Sequence, residues 1–201
     1  MAPIVSIEAI VAVDQAFGLA KNGQIPWKSK TDMNFFKKTT TNNIIVMGIN
    51  TLMSLKNANP LPNRLNIVLT RNPDKYNTIA NSSEETNKYK NMDNILFMDE
   101  SMFLQFLKDP NVQITEKHNK YLKKDYTIFI IGGEQIYRQF CDKCDTIWLT
   151  KIKANYECDL IFSFNSRLFN TDHYQCEVYY EDEELQIMRL QLYSGSDSLP
   201  K

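Results

Sequence analysis

Apolar positions along the chain fall into short runs separated by helical or polar stretches. Residues 4–13 read as a strand, and Ala9 to Val13 are continuously apolar, as in a strand buried on both faces. Residues 14–24 hold Gly18, Asn22 and Gly23 and predict a loop. A helix is expected over 31–39, with Thr31 as its N-cap. Residues 44–47 form a short apolar strand, Gly48 follows, and a helical stretch runs through 51–55. A turn at 60–64 leads to a strand at 66–70, and another strand is expected at 94–98. A helix capped by Asp99 or Ser101 ends at Pro110. Residues 126–131 form the most strongly buried strand pattern, closed by Gly132-Gly133, with a helix over 134–140 and a strand at 146–150. Residues 176–180 and 185–193 read as an antiparallel hairpin around a solvated acidic tip at 181–184. Residues 72–93 and 111–125 are polar and predict exposed insertions.

Strand and helix alternate, and a hairpin ends the series. The prediction is an α/β fold: one domain over 1–193 with a mostly parallel central sheet flanked by helices, an antiparallel C-terminal hairpin, and a polar tail at 194–201. The 201 residues are 43% hydrophobic and 23% charged, which fits a folded globular chain. With 23 basic against 24 acidic residues there is no basic excess to attract nucleic acid or an acidic membrane. The N-terminus has neither the basic start nor the long apolar core of a secretory signal, and no apolar run reaches bilayer length, so an intracellular, cytoplasmic protein is expected. Cys141 and Cys144 form a C-x-x-C without a second pair or a nearby histidine, so no metal site is expected and reduced cysteines are the simpler reading. His118 and His173 stand apart in polar surroundings and carry no assigned role.

In sheets of this kind, ligands bind beyond the carboxyl ends of the strands, where helices begin. Two junctions qualify, Gly48 leading toward Thr51 and Gly132-Gly133 leading to Glu134. At each, glycine lets backbone N–H groups face a phosphate, or alternatively serves close helix–strand packing. Neither junction has the G-x-G-x-x-G or P-loop spacing. Arg71 just past a strand and Arg64 closing the turn at 60–64 are either anion-binding guanidinium groups or ordinary surface charges. Asp32 stands four residues before Phe36, so the two share a helix face. It is either an acid favoured by the helix dipole or a charge kept on an apolar face to bind something.

Taken together the motifs resemble the dihydrofolate reductase family. The segments are Ile10 to Val13, Lys21 to Trp27, Asp32 to Phe36, Val46-Met47-Gly48 with Thr51 and Ser54, Pro60 to Arg64, Leu69-Thr70-Arg71, Ile130 to Gly133 with Ile136-Tyr137, Leu149-Thr150, and Asp159 with Phe162. They occur in the family's order over nearly the whole chain. The resemblance implies reduction of 7,8-dihydrofolate to tetrahydrofolate by hydride transfer from NADPH. Asp32 matches the pocket acid that pairs with the pterin, and Trp27 and Thr150 match the positions that hold this acid and a proton-delivering water. Ile10, Met33, Phe36 and Ile131 match the pterin pocket, with Ile10, Met33 and Phe36 expected to raise the pKa of Asp32 and no second acid needed beside it. Leu61 matches the benzoyl pocket and Arg64 the clamp on the substrate's α-carboxylate. Ala12, Leu19 and Tyr137 match the nicotinamide surroundings. Gly132, Gly133, Glu134 and Gln135 match the pyrophosphate site, the glycines as the family's cis pair. Gly48, Thr51, Thr70 and Arg71 match the adenosine side, with Arg71 reading the 2′-phosphate. The loop from Leu19 to Gln24 matches a lid. Some relatives carry a thymidylate synthase domain, so a covalently linked or associated synthase is a further expected partner.

The chain departs from the pattern at Ile49, where a basic residue is usual, at Leu52, where tryptophan is common, and at Ala20, where a lid glycine is usual. Ile49 removes a phosphate contact, and Ala20 stiffens the lid.

Overall fold

The computed structural model describes residues 6–77, 88–110, 113–163 and 174–192. Expectations for residues 4–5, 78–87, 111–112, His173, Tyr193 and the 194–201 tail lie outside them. The chain forms two compact units. One holds residues 39–129, and the other holds 6–38 with 130 onward. The chain passes between the units inside regular elements: a helix, α1 (Lys30–Thr40), and a strand, Ile128–Gly132.

In the 6–38/130 onward unit, β1 (Ile7–Val13) lies parallel to β7 (Thr146–Ile152), with Ile10 opposite Trp148 and Ala12 opposite Thr150. β7 pairs antiparallel with β10 (Leu185–Leu192), which pairs antiparallel with β9 (Tyr174–Glu181) at the sheet edge. β6 (Ile128–Gly132) runs on the other side of β1 and leads into α6 (Glu134–Phe140). Burial on both faces is why Ala9 to Val13 carry no polar residue. Trp27, Ile152, Leu185 and Ile187 form a core cluster, with Ala12, Phe35, Trp148 and Tyr156 against it. β2 (Gly18–Ala20) and β8 (Leu160–Ile161) pair antiparallel, so the expected 14–24 loop holds a short strand.

In the 39–129 unit, β3 (Ile44–Gly48), β4 (Leu65–Leu69) and β5 (Ile95–Met98) are parallel neighbours. α2 (Ile49–Ser54) follows β3, and α4 (Glu100–Lys108) is capped by Asp99, whose side chain accepts from the Met102 N–H at 2.8 Å. The one polar residue inside β4, Asn66, is buried, and its amide braces the 60–64 turn. Its Oδ1 accepts from the Leu61 N–H at 2.9 Å, and its Nδ2 donates to the carbonyls of Leu61 at 3.0 Å and Arg64 at 3.1 Å.

Most described residues of the two polar insertions are exposed, as composition predicts, but each holds one buried side chain. Residues 72–93 contain α3 (Asp74–Asn77) and a buried Tyr89 whose hydroxyl donates to the Ala58 carbonyl at 2.7 Å. The ring of Tyr76 stacks on Phe97 at 4.3 Å between centroids. Residues 113–125 contain α5 (Glu116–Asn119), and His118, set in polar sequence, is 2% exposed. One large side chain with a local partner is enough to dock a polar segment, and composition averages over it.

Candidate active site

Asp32 lies in the first turn of α1. The helix is capped by Ser29 and not by Thr31, since the Asp32 N–H donates to Ser29 Oγ at 3.2 Å. Its carboxyl is half-buried. Burial raises its pKa, a hydrogen bond with Thr150 works the other way, and the charge of Glu184 in the hairpin raises it further. The charge of Glu184, on the exposed hairpin tip, is the smallest of these influences. Met33 does not shield it as expected, because that side chain is 66% exposed, while Ile10 is buried and Phe36 half-buried. Trp27, 6% exposed and 5.7 Å from the Tyr156 ring, carries an indole N–H with no acceptor among the described residues. A buried donor of this kind is rare unless water or a ligand completes it.

The Gly132–Gly133 peptide is cis, as the resemblance implies. Gly132 has φ +106°, and a Cβ there would stand 2.7 Å from the Tyr137 ring, so glycine is required twice over. The Tyr137 hydroxyl donates to the Ile10 carbonyl at 2.8 Å, fixing that peptide of β1. Ile131 is half-buried beside this pair. At the start of α6, Glu134 turns its carboxylate to Ser163 Oγ at 2.5 Å, leaving the first N–H groups of the helix without an intrahelical acceptor. Gln135 is exposed. This donor set fits a pyrophosphate.

In the 39–129 unit, Gly48 is the N-cap of α2 and makes no side-chain cap. Thr51 and Thr70 are half-buried and Arg71 is exposed. Leu61 is half-buried in the turn that Asn66 braces. Arg64 is 4% exposed, not a surface charge. Its Nε donates to the Pro62 carbonyl at 3.0 Å and its Nη1 to Thr40 Oγ1 at 2.8 Å, and burial lowers its pKa.

Asp14 was not singled out in the sequence. It is wholly buried at the end of β1, where Oδ1 accepts from the N–H groups of Ala16 at 2.8 Å and Gly18 at 2.7 Å and Oδ2 from that of Tyr156 at 3.0 Å. Burial alone would raise its pKa, but these N–H groups and Cys158 hold it below the ordinary carboxylate value. The available signal is an acid directly after an apolar strand and four residues before a glycine, the setting of an Asx-type turn. Beyond it the 19–24 stretch is hydrogen-bonded to Asp159. Asn22 donates its N–H to Asp159 Oδ2 at 2.8 Å, and Asp159 its own to the Ala20 carbonyl at 3.1 Å. Asp14→Ala strands three N–H groups and lowers stability by about 2–4 kcal/mol. Thermal unfolding measures this, and Asp14→Asn, which keeps one acceptor, loses roughly half as much.

Cys141 and Cys144 are buried free thiols, and the contact between them, with burial, pushes the Cys141 thiol up. Among the described residues no group of three or more His, Cys, Asp or Glu is placed to hold a metal ion, and no helix is long and apolar enough to cross a membrane.

The family model for dihydrofolate reductase matches residues 6–109 and 100–192. The dihydrofolate reductase of Ureaplasma parvum is 32% identical over 155 residues, covering 77% of this chain and 80% of the relative. The bifunctional dihydrofolate reductase-thymidylate synthase of Paramecium tetraurelia is 30% identical over 164 residues, and this chain spans 81% of itself but 29% of that relative. A solved dihydrofolate reductase from Enterococcus faecalis, complexed with NADP(H) and RAB-propyl, superposes with a TM-score of 0.65 at 23% identity, over 93% of this chain and 96% of the other. With its acid on α1, its cis glycine pair and a family model spanning nearly all described residues, the chain belongs to the dihydrofolate reductase family.

Proposed function

We propose that the protein reduces 7,8-dihydrofolate to tetrahydrofolate with NADPH. The observation that carries the reading is Asp32, a half-buried carboxyl with raised pKa held by Thr150, in the same unit as Trp27, whose indole N–H has no acceptor among the described residues. Bound NADPH supplies the hydride. Asp32 as carboxylate accepts from the pterin's 2-amino and ring N–H groups, a fork that suits two oxygens. Trp27 Nε1 donates to a water that passes a proton to the pterin nitrogen, and Asp32 polarises that route. Ile10, Ile131, Phe36 and Met33 contact the pterin, and Leu61 the benzoyl group. Arg64 takes the α-carboxylate, its plane already fixed by Thr40 and Pro62.

On the cofactor side, Ala12, Leu19 and Tyr137 surround the nicotinamide. Gly132, Gly133, Glu134 and Gln135 meet the pyrophosphate through backbone N–H groups. Gly48, Thr51, Thr70 and Arg71 serve the adenosine and its 2′-phosphate. The Leu19 to Gln24 loop closes over the ring and excludes water. Free cysteines suit work in the reducing cytoplasm. Likeness to bifunctional relatives favours a second arrangement, this chain as the reductase portion of a longer polypeptide with thymidylate synthase, and the size of the native polypeptide on a blot decides it.

The test is steady-state oxidation of NADPH and of NADH with and without dihydrofolate. Turnover is expected only with dihydrofolate and with NADPH preferred. Arg71→Ala raises the KM for NADPH about 10- to 30-fold, the strength of a charge-assisted contact, and leaves that for NADH unchanged. Equal KM values for both cofactors in the unsubstituted protein refute the 2′-phosphate role.

A further inference from the structure

His118 is the one buried side chain of a polar four-residue helix, and its contacts give it a task. Its Nδ1 accepts from the Thr115 N–H at 3.1 Å and lies 3.4 Å from Thr115 Oγ1. The ring thus takes the place of the usual Glu or Gln in a capping box. That acceptor role requires Nδ1 to be unprotonated, so the ring is neutral with its proton on Nε2. Nε2 is buried without a partner among the described residues. Charging the ring would remove the acceptor and place a cation in this buried position. The charged groups acting on it are Lys117 on its own helix and Asp93, which pairs with Lys120 at 3.1 Å. Burial, aided by Lys117, lowers its pKa.

From α5 a run of backbone hydrogen bonds leads to Arg64. The His118 carbonyl accepts from the Tyr121 N–H at 2.9 Å, and the Asn119 carbonyl from that of Leu122 at 3.1 Å. Next, the Lys123 N–H donates to the Asn42 carbonyl at 2.9 Å, and the Asn42 N–H donates to the Asn63 carbonyl at 2.8 Å. Asn42 and Asn63 both sit in the left-handed region, with φ of +59° and +57°, conformations that need outside support. Asn63 is bonded directly to Arg64, and Arg64 Nη1 holds Thr40, two residues before Asn42. The Asn42 peptide is therefore gripped from both sides, by the insertion and by the arginine turn.

We propose that His118 is a positioning residue for Arg64: by capping α5 it locks the 115–123 segment onto Asn42 and so sets the turn that aims the guanidinium at the substrate's carboxylate. This rests on the reading of Arg64 as the carboxylate clamp. Asn66 braces the same turn independently, so losing His118 loosens the guanidinium without unfolding the turn.

The test is steady-state kinetics of wild type, His118→Ala, His118→Gln and Arg64→Ala between about pH 4.5 and 8, a range extended well below the ordinary histidine pKa because burial lowers that of His118. His118→Ala is expected to raise the KM for dihydrofolate about fivefold, the weight of one ordinary hydrogen bond, with kcat and the KM for NADPH unchanged. His118→Gln, whose amide oxygen can accept from Thr115, restores the wild-type KM near neutral pH. The ratio of wild-type to His118→Gln KM rises as pH falls. In the wild-type protein, hydrogen exchange at the Lys123 amide, corrected for intrinsic rate, loses protection over the same range, and this arm needs no variant. If Arg64→Ala raises the KM while His118→Ala does not, or if Lys123 protection is independent of pH, the brace is refuted and the clamp stands. If neither variant changes the KM, the clamp reading fails and the proposal with it.

Discussion

Asp32→Asn lowers the kcat for dihydrofolate reduction about a hundredfold or more while NADPH binding stays intact, the scale set by losing a positioned acid–base group. The same variant is more stable than wild type at pH 7. Burial raises the pKa of Asp32, the Thr150 hydrogen bond lowers it and Glu184 raises it, with a net rise. The folded protein therefore holds this proton more tightly than the unfolded chain does. The stability from that proton is fully present below the unfolded value near 3.8 and is lost as pH rises through the folded value. Asparagine has no proton to lose, so the advantage of the variant appears as pH climbs above the ordinary aspartate range and vanishes in acid. Parallel thermal melts and kcat/KM profiles read both effects. Normal turnover in Asp32→Asn near neutral pH would remove the acid from the mechanism.

Arg64→Ala raises the KM for dihydrofolate about 30-fold, from the loss of a charge-assisted contact. It also destabilises the fold by about 1–3 kcal/mol, because Thr40 Oγ1 and the Pro62 carbonyl lose their donor. A dihydropterin substrate lacking the glutamate tail separates the two consequences, since its KM does not depend on Arg64. Equal sensitivity of both substrates would mean that the guanidinium only supports the turn.

Much of this site is written in local sequence. Asp32 four residues before Phe36, glycines at strand ends and the 60–64 turn are short-range patterns, and short-range physics decides them. What escapes the sequence depends on side chains that meet across long separations. Asp14 needs the Tyr156 N–H to explain it, and Asp32 feels the charge of Glu184 from the solvated hairpin tip. Arg64 reads as a turn charge until Thr40 and Pro62 account for its burial. Tyr89 and His118 sit in segments whose average polarity hides them. The mostly parallel sheet and its antiparallel hairpin were legible because burial on both faces leaves a continuous apolar run, as in β1.

The contact of Gly132 with Tyr137, and of Tyr137 with the Ile10 carbonyl, bears on how this chain can change over generations. A methyl at position 132 displaces the ring, and a displaced ring releases the peptide of β1 that it holds. Any replacement at 137 without a hydroxyl releases that peptide as well. The two positions therefore make one heritable character spread over three stretches of chain, and a single step at either is lost before a compensating second step can arrive. Drift is left to positions such as Met53, whose side chain is largely exposed and carries no role in the site.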